Sequence, residues 1–133
     1  MNEPAVLGRR ELGRATLARQ LLLERAPLSA VEAVERLCGM QAQEPRPPFI
    51  GLWSRLASFA PDELRAGLRA GEVVRGPLFR GTLHLVSRRD WSLLRGPVQP
   101  ALSQAARVLR ERIGTIDVEL VATAAREALA TCA

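Results

Sequence analysis

Apolar residues recur at three- and four-residue steps through the first half of the chain, and this spacing predicts short amphipathic helices. The first covers roughly residues 10–25 and ends before Pro27, because proline disfavours helical geometry in the residue that precedes it. A second begins at Ser29, whose spacing to Glu32 is that of a capping box. Residues 40–49 read MQAQEPRPPF and predict a polar turn, since proline is excluded from helix interiors.

Two further helices are predicted to begin at prolines, which the first turn of a helix tolerates well. One begins at Pro47 and Pro48 and carries Trp53 at the spacing of a core residue. The other begins at Pro61 and ends at Gly71, where a glycine suits the end of a helix. We therefore expect four helices before the sequence changes character.

From residue 73 the apolar period shortens to two. Leu83 and Leu85 alternate with Thr82 and His84, which predicts an antiparallel hairpin. Three helices are predicted after the hairpin. The first begins at Ser87, the second covers roughly residues 100–112, and the third begins at Asp117 after a break near Gly114. Trp91, in the first of them, is expected in the core. The fold class is therefore mainly α with a small β-hairpin (α+β), in the element order of a winged helix-turn-helix domain.

Composition adds one observation to this picture, the distribution of charge. The 133 residues carry a net charge of +5, and all nineteen basic residues are arginine. Residues 45–110 hold eleven arginines against four acids, whereas residues 1–44 hold six of each. A positive middle stretch favours a polyanion as partner, although a basic composition alone is also typical of a codon bias.

Several classes of protein are excluded by what the chain lacks. It has no apolar run of the length that a membrane helix needs and no signal peptide, so we expect a cytoplasmic, nucleoid-associated protein without membrane contact. One histidine and the two cysteines Cys38 and Cys132 cannot form a usual zinc site, and we expect no metal or cofactor.

The last predicted helix bears an apolar stripe and runs to the end of the chain without a cap. We therefore expect an N-terminal piece of a longer protein. Its residues 1–112 would form a winged-helix domain and its residues 113–133 the truncated start of a second one. The alternative is a short domain whose last helix packs back on the first.

Three stretches of the chain resemble one known family. They read RATLARQLLLER (residues 14–25), LCGMQAQEPRPPFIGLWSRL (residues 37–56) and VVRGPLFRGTLHLVSRRDW (residues 73–91). The family is that of the AlkZ and YcaQ DNA glycosylases, winged-helix DNA-binding enzymes that unhook interstrand crosslinks. The resemblance implies a DNA repair hydrolase that acts on alkylated or crosslinked double-stranded DNA, with further winged-helix domains of the same chain around a basic channel.

The catalytic motif of that family, glutamine–aliphatic–glutamine, falls on Gln41, Ala42 and Gln43. Relatives of the YcaQ kind have aspartate at the second polar position, so Gln43 makes the chain more similar to the crosslink-unhooking branch. Glutamine does not titrate near neutral pH, but two amides can orient a water. Such help is sufficient for an N7-alkylated purine, because that cationic base leaves without protonation. The residues alone point first to Glu44 as the loop carboxylate, and it stays a secondary catalytic candidate.

Arginines around the proline turn and the hairpin are candidate phosphate contacts, namely Arg46, Arg75, Arg80, Arg88 and Arg89. If about five phosphates are neutralised, log affinity should fall with log salt at a slope of about −4 to −5. His84 is either a half-buried structural residue or a contact to a phosphate or the target nucleotide.

Two other functions remain open from the sequence. The first is a non-catalytic winged-helix DNA-binding protein, such as a regulator, which should read bases with a polar helix. The predicted third helix is mostly apolar and offers only Arg55 and two serines, which counts against base reading. The second is a helical interaction domain without a nucleic-acid role, which the positive middle stretch disfavours.

Overall fold

The computed structural model describes residues 6–113 and 117–131, and it is mainly helical with one small antiparallel sheet. The α+β fold class predicted from the sequence is confirmed. The elements in chain order are α1 (Arg9–Arg19), α2 (Ala30–Arg36), β1 (Met40–Gln41), α3 (Pro47–Trp53), α4 (Pro61–Arg69), β2 (Val73–Pro77), a 3₁₀ turn (Phe79–Gly81), β3 (Leu83–Ser87), α5 (Arg88–Ile113) and α6 (Val118–Ala130).

The sheet has the strand order β1-β3-β2, so β3 is its centre. The predicted hairpin is confirmed: β2 and β3 pair antiparallel, from Val73 opposite Ser87 to Pro77 opposite Leu83. The prediction of a turn over residues 40–49 was wrong at its start, because Met40–Gln41 is a strand on the free edge of β3. That pairing depends on residues more than forty positions away, which the local proline signal does not report.

One face of the sheet carries the hydrophobic core, where α2 and α4 pack together beside β3. Its most buried side chains include Val34, Leu52, Leu64 and Leu85, each at most 2% exposed. The capping box of α2 is confirmed, since Ser29 Oγ accepts from Glu32 N–H and the Glu32 carboxylate accepts from Ser29 N–H and Oγ–H. These bonds to its charged form lower the pKa of Glu32.

Helix α5 covers part of the opposite face of the sheet. A Cβ at Gly76 would lie 2.4 Å from the Trp91 ring, so only glycine allows this approach of helix and strand. Trp91 is half-buried, in partial agreement with its predicted core position. Two separate helices were predicted here, which was wrong, because α5 continues through Pro97 and Pro100. Both prolines are exposed, so water can satisfy the carbonyls that lose their helical partners.

The first helix also differs from the prediction, because α1 ends at Arg19 rather than near residue 25. Leu21 adopts a φ of +55°, which no α-helix accommodates. Beyond this turn Ala26 forms a parallel β-bridge with Leu56. Ala26 N–H donates to the Arg55 carbonyl, and Ala57 N–H donates to the Ala26 carbonyl. Helix α4 begins and ends as predicted. Pro61 is its first residue, and Gly71 follows its end with a φ of +69°.

Trp53 was predicted to be a core residue, and this was wrong. Trp53 is 57% exposed and Ile50 is 66% exposed. The buried residues of α3 are Pro48 and Leu52, one helical turn apart, and this places Ile50 and Trp53 on the outer face. There the guanidinium of Arg25 lies 4.6 Å from the centre of the Trp53 ring.

Neither α1 nor α6 has a buried residue in the part of the chain that the structure describes. In that same part, no helix has the length and hydropathy to cross a membrane. The break predicted near Gly114 and the residue Cys132 lie outside the described residues. The division into domains at residues 112 and 113 stays a prediction.

Candidate active site

The glutamine motif lies at the point where β1 ends. Gln41 pairs with His84 of β3, and Ala42 N–H donates to the Leu83 carbonyl at 2.8 Å. Ala42 is 1% exposed and packs in the core, whereas Gln41 and Gln43 are both exposed. Strand β1 ends at Gln41 and Gln43 lies in the bend that follows, so the two exposed amides lie on either side of the buried Ala42.

Gln43 is attached to β3 through its side chain. Its Oε1 accepts a hydrogen bond from Leu83 N–H at 3.2 Å. An N–H can only face an acceptor, so the amide oxygen of Gln43 points to β3 and its amide NH₂ points away. Gln41 makes no side-chain hydrogen bond among the described residues, so both ends of its amide are available.

Arg75, on β2, reaches the same segment from the core face. Its Nε donates to the Ala42 carbonyl at 2.9 Å and its Nη2 donates to the Gln43 carbonyl at 3.1 Å. The sequence prediction placed Arg75 on DNA phosphates. In the structure two of its donors are directed to the main chain of the motif, and the residue is exposed, so its phosphate contact stays a prediction.

His84 lies beside Gln41 in the neighbouring strand and is half-buried. Its Nδ1 is 3.0 Å from the Thr82 carbonyl, and its ring meets the Phe79 ring edge-on at a centroid distance of 5.2 Å. A carbonyl only accepts, so Nδ1 carries a proton. In the neutral ring Nε2 is then an acceptor, which bonds to no residue that the structure describes, and its direction is set by Phe79 and Thr82.

Glu44 follows Gln43 and is exposed. Within the ranges that the structure describes, its carboxylate makes no hydrogen bond or ion pair. The structure therefore brings Gln41, Gln43, Arg75 and His84 together by direct pairing, with Glu44 next to them in the chain.

The remaining predicted phosphate contacts are dispersed around this centre. Arg46 precedes α3 and Arg80 lies in the turn of the hairpin at a φ of +56°, and both are exposed. Arg88 and Arg89 follow the other end of β3. The last residue of that strand, Ser87, lies roughly 10 Å along the strand from His84, so both arginines are separated from the glutamine pair by most of the strand. Arg88 is exposed, and Arg89 forms an ion pair with Glu35 although its own side chain is 76% exposed.

The sequence profile of the family described as DNA glycosylase AlkZ-like matches residues 34–132, which is well over half of the chain. The chain belongs to the AlkZ-like DNA glycosylase family. Its matched stretch contains the glutamine motif, the hairpin and α5, so the AlkZ-like part of the chain includes every candidate site residue.

A solved structure similar to this AlkZ-like chain is that of Streptomyces sahachiroi DNA glycosylase AlkZ, with 31% sequence identity and a TM-score of 0.50. The match covers 53% of this chain and 19% of AlkZ, so the chain spans much less than two thirds of that protein's length. No curated protein matches the chain.

A cleft of about 670 Å³ lies away from the glutamines. It lies between the hairpin turn and α5, where Gly81 faces a helix side that bears Arg95, Gln99, Ser103 and Arg107. The sequence analysis missed this stripe, although its four-residue steps are a helical spacing that could have revealed it. The glutamine pair lies on an open surface instead.

The third helix offers little for base reading. Arg55 directs its Nε to the Gln20 carbonyl at 2.8 Å and its Nη1 to the Gly51 carbonyl at 2.9 Å. Burial lowers the pKa of Arg55, and an arginine keeps its charge at neutral pH. The one arginine of α3 and its following turn therefore joins two parts of the protein.

No cluster of three or more metal-ligating side chains occurs in residues 6–108 and 117–131. Cys38 is a free, exposed thiol.

Proposed function

We propose that this chain is the DNA-binding domain of a monofunctional DNA glycosylase. The enzyme would hydrolyse the N-glycosidic bond of N7-alkylated purines, including those in interstrand crosslinks. Membership of the AlkZ-like family supports the glycosylase class. The observation that carries the proposal is the pair of exposed amides at the end of β1, Gln41 and Gln43, beside the half-buried His84.

The chemistry of the leaving group explains how two neutral amides are sufficient. Alkylation at N7 makes the purine a cation, so the bond from C1′ to N9 breaks with its electron pair passing to a base that departs neutral. Water adds to C1′ as the sugar develops positive charge, and its surplus proton passes to solvent. An undamaged guanine would leave as an anion, so it should not be released without an acid catalyst.

The closeness of the two amides suits one water molecule. Residues two apart lie no more than roughly 7 Å apart, the limit that a fully extended chain sets. A water that bonds to both amides spans roughly 5–6 Å between their polar atoms. The flexible side chain of Gln41 would close the remaining distance, and its carbonyl oxygen would also stabilise the positive sugar.

Gln41 and Gln43 would have different parts in this arrangement. One lone pair of Gln43 Oε1 is already used by Leu83 N–H, so Gln43 presents a fixed amide with a free NH₂. Gln41 keeps both ends of its amide and would adapt to the substrate. Glu44, the residue after Gln43, would assist by balancing the positive charge on the sugar.

His84 would contact the target nucleotide or its water. With its proton on Nδ1, the neutral ring presents an acceptor at Nε2, and a phosphate oxygen is also an acceptor. A neutral His84 therefore suits a hydrogen-bond donor better than it suits the DNA backbone.

We further propose that the domain is a winged helix that holds DNA through its backbone. The order of helices and strands and the third strand beside the β2–β3 hairpin support this interpretation. The exposed arginines Arg46, Arg80 and Arg88 would contact phosphates, joined by Arg89 when it leaves Glu35. Three to four neutralised phosphates predict a slope of log affinity against log salt of about −3 to −4.

Further winged-helix domains would complete the DNA-binding surface, the first of them beginning near residue 113. The AlkZ match, which covers only 19% of AlkZ, supports a larger enzyme. Such an enzyme would act in DNA repair on chromosomal DNA, in the cytoplasm.

A base-reading regulator is less well supported. In a winged-helix regulator the helix before the hairpin reads the major groove. Here that helix is α4, which begins with Pro61, Asp62 and Glu63. Acids at that end would repel phosphates, and Glu63 already accepts a hydrogen bond from Ala30 N–H.

The test is release of base from duplex DNA that carries one N7-methylguanine, compared with the same duplex carrying guanine. We expect free 7-methylguanine and an abasic site from the first duplex and no product from the second. Release from both duplexes would contradict the leaving-group argument. DNA binding without release from either would favour the regulator.

A further inference from the structure

The pairing of β1 with β3 is irregular at its last step. In a regular antiparallel ladder, Ala42 and Leu83 would exchange two hydrogen bonds. Ala42 N–H does donate to the Leu83 carbonyl, at 2.8 Å. The returning bond is replaced: Leu83 N–H donates to the side chain of Gln43, and the Ala42 carbonyl accepts from Arg75.

Arg75 can bond both the Ala42 and Gln43 carbonyls only because the chain turns there. Consecutive carbonyls of an extended strand point to opposite sides, so one guanidinium does not reach two of them. At residues 42 and 43 it does, at 2.9 Å and 3.1 Å, and the planar guanidinium fixes both bonds at once. The strand therefore ends at Gln41, and Gln43 leaves it in a defined direction.

We propose that Arg75 is a positioning residue of the glutamine pair. By holding the Ala42 carbonyl out of the ladder, Arg75 leaves the Leu83 amide for the side chain of Gln43. It thereby sets the position from which Gln43 acts. The consequence for catalysis rests on the proposed function, whereas the arrangement of the backbone and the Gln43 side chain does not.

A positioning role and a phosphate contact differ in whether lysine can replace Arg75. A phosphate contact needs a positive charge, which Arg75→Lys keeps. Two bonds to consecutive carbonyls need the planar guanidinium, which neither Arg75→Lys nor Arg75→Met has. Arg69→Lys, on the exposed last turn of α4, is the matched control, because no side-chain hydrogen bond of Arg69 is present in the described chain.

The first experiment is two-dimensional NMR of the amide groups in the wild type, Arg75→Met, Gln43→Ala and Arg69→Lys. We expect Arg75→Met and Gln43→Ala to shift the resonance of the Leu83 amide, because each variant loses the bond from Leu83 N–H to Gln43 Oε1. Core amides such as that of Val34 should stay in place, which shows that the fold persists. An unchanged Leu83 amide in Arg75→Met, in a folded variant, would overturn the proposal.

The second experiment is the rate of base release at saturating N7-methylguanine DNA, together with DNA affinity across a salt series. We expect both Arg75 variants to react about tenfold to a hundredfold more slowly with nearly unchanged affinity, and Arg69→Lys to match the wild type. Full activity in Arg75→Lys, with a salt slope reduced by about one in Arg75→Met, would replace positioning by a phosphate contact. If the wild type releases no base, the proposed function fails, and the NMR experiment still decides the position of Gln43.

Discussion

The two edges of the sheet are held to β3 in different ways. β2 pairs with β3 along five residues and is joined to it by a short turn, so the hairpin supports itself. β1 has two residues, and its end depends on the side chains of Gln43 and Arg75. The difference predicts that a substitution in β3 destabilises the fold more than a substitution at the exposed end of β1.

The largest effect that tests this difference is on stability. Leu85 in β3 is 2% exposed, so Leu85→Ala should lower the free energy of unfolding by about 2–5 kcal/mol. Gln43→Ala, on the exposed end of β1, should lower it by less than about 1 kcal/mol. Urea denaturation measures both values. Equal losses in the two variants would contradict the comparison.

A smaller effect is expected where α5 meets the hairpin. Gly76→Ala would put a methyl group against the rigid Trp91 ring and should cost about 1–3 kcal/mol. Gly51→Ala is the matched control, since its Cβ would meet the end of the flexible Met40 side chain at 2.5 Å. Alanine is also the better helix former there, so this variant should be nearly neutral. A thermal melt in which both variants lose the same stability would refute the packing argument.

Trp53 tests the outer face of α3. With more than half of its surface exposed, Trp53→Ser should change the free energy of unfolding by less than about 1 kcal/mol. A core tryptophan would cost about 3–5 kcal/mol on truncation. A loss of that size would restore the core position that the sequence predicted.

The smallest effect concerns Glu32, whose pKa is lowered by its bonds to Ser29. A carboxyl with a lowered folded-state pKa stabilises the protein above its ordinary value of 4.5 and loses this contribution as pH falls through the folded-state value. Glu32→Gln keeps the cap but not the charge. Its deficit in melting temperature should therefore be present at pH 7 and shrink below about pH 4.5. A deficit independent of pH would show that the charge is irrelevant.

Local signals explain which parts of the fold were predictable. Ser29 with Glu32, and the prolines at 47 and 61, mark helix starts by chemistry that acts within one turn. The alternation around His84 marked β3 in the same way. By contrast β1 exists because β3, more than forty residues later, has an open edge, and no short-range pattern reports that.

The candidate site was predictable only in part, for the same reason. Gln41 and Gln43 were found through a family resemblance, since two glutamines in a proline-rich stretch carry no distinctive chemistry. Arg75 was predicted to contact DNA because it flanks the hairpin in the positive middle stretch, and that contact stays a prediction. Its bonds to Ala42 and Gln43, more than thirty residues away, follow from the strand order β1-β3-β2.

The most direct test of the account is the single-turnover release of 7-methylguanine by Gln41→Ala and Gln43→Ala at saturating DNA. The matched control is Gln104→Ala, which removes an exposed amide from α5. We expect each motif variant to react at least about tenfold more slowly than the wild type, with unchanged DNA affinity and an unaffected control. If both motif variants release base at the wild-type rate, the amide pair does not orient the water, and the central claim is wrong.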